Sequence, residues 1–181
     1  MGDLPNMSKM ELLSRSLAKK AHEAEVVTIA NQLEEAANEL LQTRLGISMR
    51  GVRGAPDWQG YETDLWELSE VLRSYYKANR KLRGKNPLSD TLARIASNSQ
   101  FGKGRQMIFL ILGQYGGPDY GEVFGNALKD PTVYGHAIDA LIKAKVKGYH
   151  DQVASILGVE KTGWIRQAAK KYLERFSPDS E

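Results

Sequence analysis

The stretch "ALKDPTVYGHAIDAL", Ala127–Leu141, decides the fold. It reads as the end of one helix, a short Asp130-Pro131 turn and the start of a second helix. Asp suits a helix cap, and Pro is tolerated at the first helical position. From Val133, small or apolar residues fall at Val133, Ala137, Ala140 and Leu141, which is one face of a helix. The same spacing recurs in "IRQAAKKYL" at Ile165, Ala169, Tyr172 and Leu173, and in "GRQMIFLIL" at Gly104, Ile108, Ile111 and Leu112. The starts at 104, 133 and 165 are 29 and 32 residues apart. A basic residue follows two of them, Arg105 and Arg166; the middle unit has Tyr134. A shorter apolar helix, "DYGEVFGNALKDP" or "YHDQVASILGVEK", stands before the second and third starts. One hairpin cannot bury its apolar face alone, so such units are expected to stack and share a core.

This pattern resembles the HEAT-repeat family, in its short bacterial form also found in phycobilisome-lyase-like proteins. The family runs apolar helix, Gly-rich turn, second apolar stretch, Pro-containing turn and a "VRxxAxxAL"-like helix. "LGQYGGPDYGEVFGNALKDPTVYGHAIDAL" follows that order. Two units and a partial one cover about residues 88–176. The resemblance implies an all-α solenoid acting as a scaffold or adaptor, and names no partner. It places Arg105, Tyr134, Arg166 and Lys170 as candidates for contact on a concave face. It equally allows Arg105 and Arg166 to brace neighbouring repeats.

Outside the repeats, residues 8–45 read as one long helix with a Ser8–Glu11 capping box and a stripe from Val26 to Leu41. The segment before Ala21 is Ala-rich and is expected to dock less firmly. "GISMRGVRGAPDWQG", Gly46–Gly60, holds too many Gly for a helix and reads as a loop. Residues 61–83 read as a second helix stopped by Gly84, followed by a short helix capped at Ser89. Residues 1–87 are thus expected to form a helical hairpin capping repeats over 88–181. A projecting, dimerising helix is the alternative, and the chain is expected to be a monomer or weak dimer.

The 181 residues include no cysteine, which excludes disulfides, Cys-ligated zinc and a thiol nucleophile. The longest apolar block, "MIFLIL", is too short to span a bilayer, and "MGDLPNMSKMELL" lacks a signal core. A cytoplasmic protein without membrane partners is expected. The net charge is only +3, but its distribution is uneven. From Ala21 to Leu45 five Glu face one Arg; from Val71 to Pro118 nine basic residues face the single acid Asp90.

Within that belt, "RSYYKANRKLRGK" combines Arg73, Lys77, Arg80, Lys81, Arg83 and Lys85 with Tyr75 and Tyr76. With Lys103, these cations are the candidates for sequence-independent DNA or RNA binding, the tyrosines being available to stack on bases. The competing reading is a solvated face, or one neutralised by the acidic helix. "GKGR", Gly102–Arg105, offers backbone amides to an anion but lacks a phosphate-loop pattern. His22, His136 and His150 read as structural or surface residues; pairing of His136 with Asp139, or His150 with Asp151, is too common a spacing to assign a metal. Trp66 and Glu70 stand one turn apart, like the Trp and Asp of HEAT-like DNA glycosylases, but the acid differs and the pair precedes the repeats. The expected role is a non-catalytic protein-binding module without cofactor, with nucleic-acid binding as the alternative. A protein-binding groove is expected among Tyr120, Phe124, Tyr134, Tyr149 and Trp164.

Overall fold

The computed structural model describes residues 9–17, 23–43 and 60–177, and among these every regular element is helical. The elements are α1 (Lys9–Leu17), α2 (Glu23–Thr43), α3 (Gly60–Ala78), α4 (Pro87–Ser97), α5 (Gln106–Ile111), α6 (Gly121–Ala127), α7 (Tyr134–Ala144), α8 (His150–Val159) and α9 (Gly163–Arg175). A π-helical turn, Leu112–Gly116, prolongs α5. The loop expected over 46–59, the Ser8 cap and His22 lie outside the described residues.

The long helix expected over 8–45 is instead two helices, and α1 packs back on both α2 and α3. Leu13 is fully buried and Leu17 nearly so, within the core that holds Val26, Ile29, Leu33 and Leu40. The first turns are therefore firmly docked. Residues 18–22, between the two helices, lie outside the described residues.

α3 ends at Ala78, and the chain continues as a 3-10 turn, Arg80–Leu82, before Gly84. Gly84 has φ +86°, a region that favours glycine, and its N–H donates to Tyr115 O at 2.7 Å. The cap of α4 is Asn86, whose side chain accepts from Ser89 N at 3.0 Å. Ser89, expected as the cap, is buried inside α4 and shares a 2.8 Å hydrogen bond with the Tyr76 hydroxyl. Pro87 takes the first helical position, where its missing N–H costs nothing.

The helices pair as α4 with α5, α6 with α7 and α8 with α9. Successive second helices lie side by side: α3 contacts α5, α5 contacts α7, and α7 contacts α9. On the other side α2 contacts α4, and α4 contacts α6. Ala137, Ala140 and Ala169 are fully buried along these seams. Backbone approaches backbone most closely at Gly113, where an added Cβ would lie 2.5 Å from the Ala140 Cα.

The three hairpins repeat one polar joint. After the first helix of each, a side-chain oxygen accepts the amide two residues on. Asn98 Oδ1 accepts from Gln100 N at 3.0 Å, Asp130 Oδ1 from Thr132 N at 2.9 Å, and Glu160 Oε1 from Thr162 N at 2.6 Å. The residue opening the second helix of the preceding hairpin then reaches across. Arg105 Nη2 donates to Asp130 Oδ2 at 2.5 Å, and the Tyr134 hydroxyl donates to Glu160. The two arginines also fold back alike: Arg105 Nη1 donates to Ala96 O at 3.0 Å and Arg166 Nη1 to Leu157 O at 2.9 Å, each nine residues earlier. These bonds hold carbonyls near the end of the preceding helix that have no intrahelical donor.

Candidate binding face

Each second helix leaves one stripe of side chains outside the core. On α3 the stripe carries Glu70, Arg73, Ser74 and Lys77; on α5 and its π turn, Leu110 and Gln114. On α7 it carries His136, Asp139 and Lys143; on α9, Trp164, Gln167 and Lys171. The three- and four-residue spacing follows from the helical period. The side-by-side order of the helices joins the stripes into one face. Two depressions open on it.

The first lies between α3 and the end of α5, with a volume of about 390 Å3. Arg73, Lys77, Arg80 and Arg83 line it, with Glu70 as its one carboxylate and the buried Tyr115 at its edge. Arg73 lies 3.8 Å from Glu70. Among the described residues, the side chains of Lys77, Arg80 and Arg83 have no hydrogen-bonded or ionic partner. Their backbone is held on both sides. Gly84 is tied to Tyr115, and Asn86 Nδ2 donates to Leu82 O at 2.9 Å and Ser89 Oγ at 2.8 Å. Tyr76 stacks on Tyr115 with ring centroids 5.5 Å apart, and burial pushes its hydroxyl pKa well above the ordinary tyrosine range.

The second depression, about 450 Å3, is a groove over α5, α7 and α9. Leu110, Trp164 and Ala168 supply its apolar part, and His136, Asp139 and Lys171 its polar rim. Trp164 is 46% exposed, a large apolar surface facing water. Its ring meets the His136 imidazole edge-on at 5.0 Å. Burial lowers the His136 pKa to about 4, so at neutral pH the ring carries no charge. Across the rim, Asp139 and Lys143 pair at 2.7 Å.

None of the four residues expected on a concave face is among those that line the groove. Arg105 is only 3% exposed and is spent on Asp130, Ala96 O and Gly102 O. Tyr134 is engaged with Glu160, and Arg166 with Leu157 O and Glu160 O. Lys170 is exposed but does not line the groove. Tyr120 and Phe124 are buried, the former donating to Asp90 Oδ1 at 2.9 Å; Trp164 alone of the five expected aromatic residues lines the groove. Leu110, His136 and Gln167 carried no distinguishing spacing. The signal for them is the exposed position of each repeat helix, which requires the helix boundaries first.

The basic belt divides. Arg73, Lys77, Arg80 and Arg83 converge; Lys81 and Lys85 are exposed beside them. Arg94 pairs with Glu34 of the acidic helix at 2.7 Å, and Arg105 is buried. Tyr75 and Tyr76 are both in the core and present no face to a base. The "GKGR" turn already holds an anion of its own: Lys103 N donates to Glu62 Oε1 at 2.7 Å, and Glu62 is buried. Trp66 packs against the core, while Glu70 belongs to the basic cavity. His150 lies 3.7 Å from Asp151. Among the described residues, no group of three His, Cys, Asp or Glu side chains is placed to hold a metal ion. None of their helices is long and apolar enough to cross a membrane. In comparisons with known proteins, no family model, no curated protein and no solved structure matches the chain.

Proposed function

We propose that the chain is a non-catalytic protein-binding module: a short HEAT-like α-solenoid, capped by α1–α3, that takes a partner on the face of its second helices. The observation that carries this reading is the groove over α5, α7 and α9, where Trp164 stands exposed beside Leu110 and Ala168 within a polar rim. An exposed aromatic side chain in an apolar depression, ringed by polar groups, is the usual composition of an interface centre. Stacked repeats supply such extended faces. The regular contacts of α3, α5, α7 and α9 and the recurring joints support the solenoid.

The convergence of four cations favours nucleic-acid binding as a second reading. The belt, however, does not continue as a track: Arg94 and Arg105 are already engaged, and both tyrosines are inside. A nucleic-acid backbone needs a run of phosphate contacts.

A photo-reactive residue at Gln167 in the full chain, irradiated in nuclease-treated cell extract, tests the choice. The expected result is one discrete protein adduct that is lost on Trp164→Ser with helicity unchanged. An adduct indifferent to Trp164→Ser, or no adduct unless nucleic acid is left intact, contradicts the protein-binding reading.

A further inference from the structure

The cavity between α3 and the end of α5 has features that the protein-binding groove does not use. Four cations, three of them guanidinium groups, face one carboxylate. Like charges drawn together repel, and two acids of α2 are engaged elsewhere: Glu34 is taken by Arg94 and Glu35 by Lys9 at 3.5 Å. The backbone beneath the cluster is nevertheless held, because the segment carrying Arg80 and Arg83 is bound to Tyr115 and to the Tyr76–Ser89–Asn86 hydrogen bonds. Three of the four cations have no partner of their own, so the pocket offers an anion charge that nothing else takes up, on a backbone already in place. Guanidinium forks match phosphate oxygens two at a time, and Lys77 adds a point charge. A volume of about 390 Å3 falls in the range of small-molecule sites. Lys81 and Lys85 stand exposed beside the cavity and do not line it, and a cavity of this volume suits a compact ligand.

We infer that this cavity binds a soluble small molecule carrying two or more phosphate groups, through Arg73, Lys77, Arg80 and Arg83. Glu70 and Ser74 are the cavity's groups for accepting a hydrogen bond from a hydroxyl or amine of the same ligand. The site is separate from the groove at Trp164, and neither reading depends on the other.

Isothermal titration of the full chain with inorganic phosphate, inorganic pyrophosphate and ATP tests the inference. Pyrophosphate and ATP are expected to bind in the micromolar range, with inorganic phosphate at least tenfold weaker. The double substitution Arg80→Ala with Arg83→Ala is expected to weaken ATP binding tenfold or more, while Lys129→Ala, on an exposed turn elsewhere, leaves it unchanged. Circular dichroism of each variant keeps folding separate from binding. Pyrophosphate binding weaker than millimolar, or equal in the double variant, overturns the inference. So does an oligonucleotide series that binds more tightly than ATP and gains affinity with length, which transfers the cations to a nucleic-acid backbone.

Discussion

Arg105 shows how one residue joins two units. Its guanidinium is buried, spans Ala96 O, Gly102 O and Asp130, and so ties the α4–α5 link to the α6–α7 turn. The pair is buried on the arginine side only, and Asp130 keeps its Thr132 hydrogen bonds, so removing the guanidinium costs about 1–3 kcal/mol. Arg105→Ala is therefore expected to lower the chemical-denaturation midpoint by roughly that free energy. Adding Asp130→Ala is expected to cost much less than the sum of the two single changes, since both remove one interaction. Burial works to raise the Asp130 carboxyl pKa, but hydrogen bonds from Thr132 and Arg105 outweigh it and the pKa is lowered. Its contribution is thus present above the unfolded carboxyl value, about 3.9, and is lost as pH falls through the lower folded value. Stability measured from pH 6 down to pH 2 should fall less steeply in Asp130→Asn than in the parent. Sequence spacing singled out Arg105 and Arg166 because each follows a repeat start. It does not say which way a long side chain folds. That direction is set by carbonyls and carboxylates brought from other segments, and here both guanidinium groups are engaged by their own chain.

At the scale of the elements, apolar periodicity located α3, α7 and α9 closely because their buried and exposed positions alternate with the helix. It joined α1 to α2 because no Pro or Gly stands between Leu17 and Glu23. The packing of α1 on α2 and α3 goes with tertiary burial of Leu13 and Leu17, which no local rule expresses. The Ser89 cap failed for a related reason: Asn86 offers the same oxygen three residues earlier, and Ser89 is needed by Tyr76. Gly113 is the most exacting position between elements. A side chain there meets the Ala140 backbone, which cannot yield without moving α7. Overpacking of this kind typically costs about 1–3 kcal/mol. Gly113→Ala is expected to lower the thermal midpoint, whereas Gly158→Ala, with open space around it inside α8, is expected to leave it unchanged or raise it. Equal effects of the two changes would contradict a close α5–α7 seam.

For the molecule as a whole, the helical class was legible from composition and periodicity, and the pairing of helices from the order of short and long apolar segments. The candidate face was legible only in part. Trp164 and the cations of Arg73–Arg83 could be named from their types, but the convergence of the cations depends on a turn pinned by Gly84 and Tyr115, which lie 31 positions apart. The groove depends on three helices from three different hairpins. The most direct measurement is a photo-crosslinking scan in cells, one position at a time, along both sides of the stack. Ser74, Gln114, Lys143 and Gln167 sample the exposed stripes of α3, α5 with its π turn, α7 and α9, and Asn38, Ser97 and Glu122 sample exposed positions on α2, α4 and α6. The expected result is a shared protein adduct from the positions around the groove, Lys143 and Gln167, with none from α2, α4 or α6. Adducts confined to α2, α4 and α6 would contradict a binding face built from the second helices.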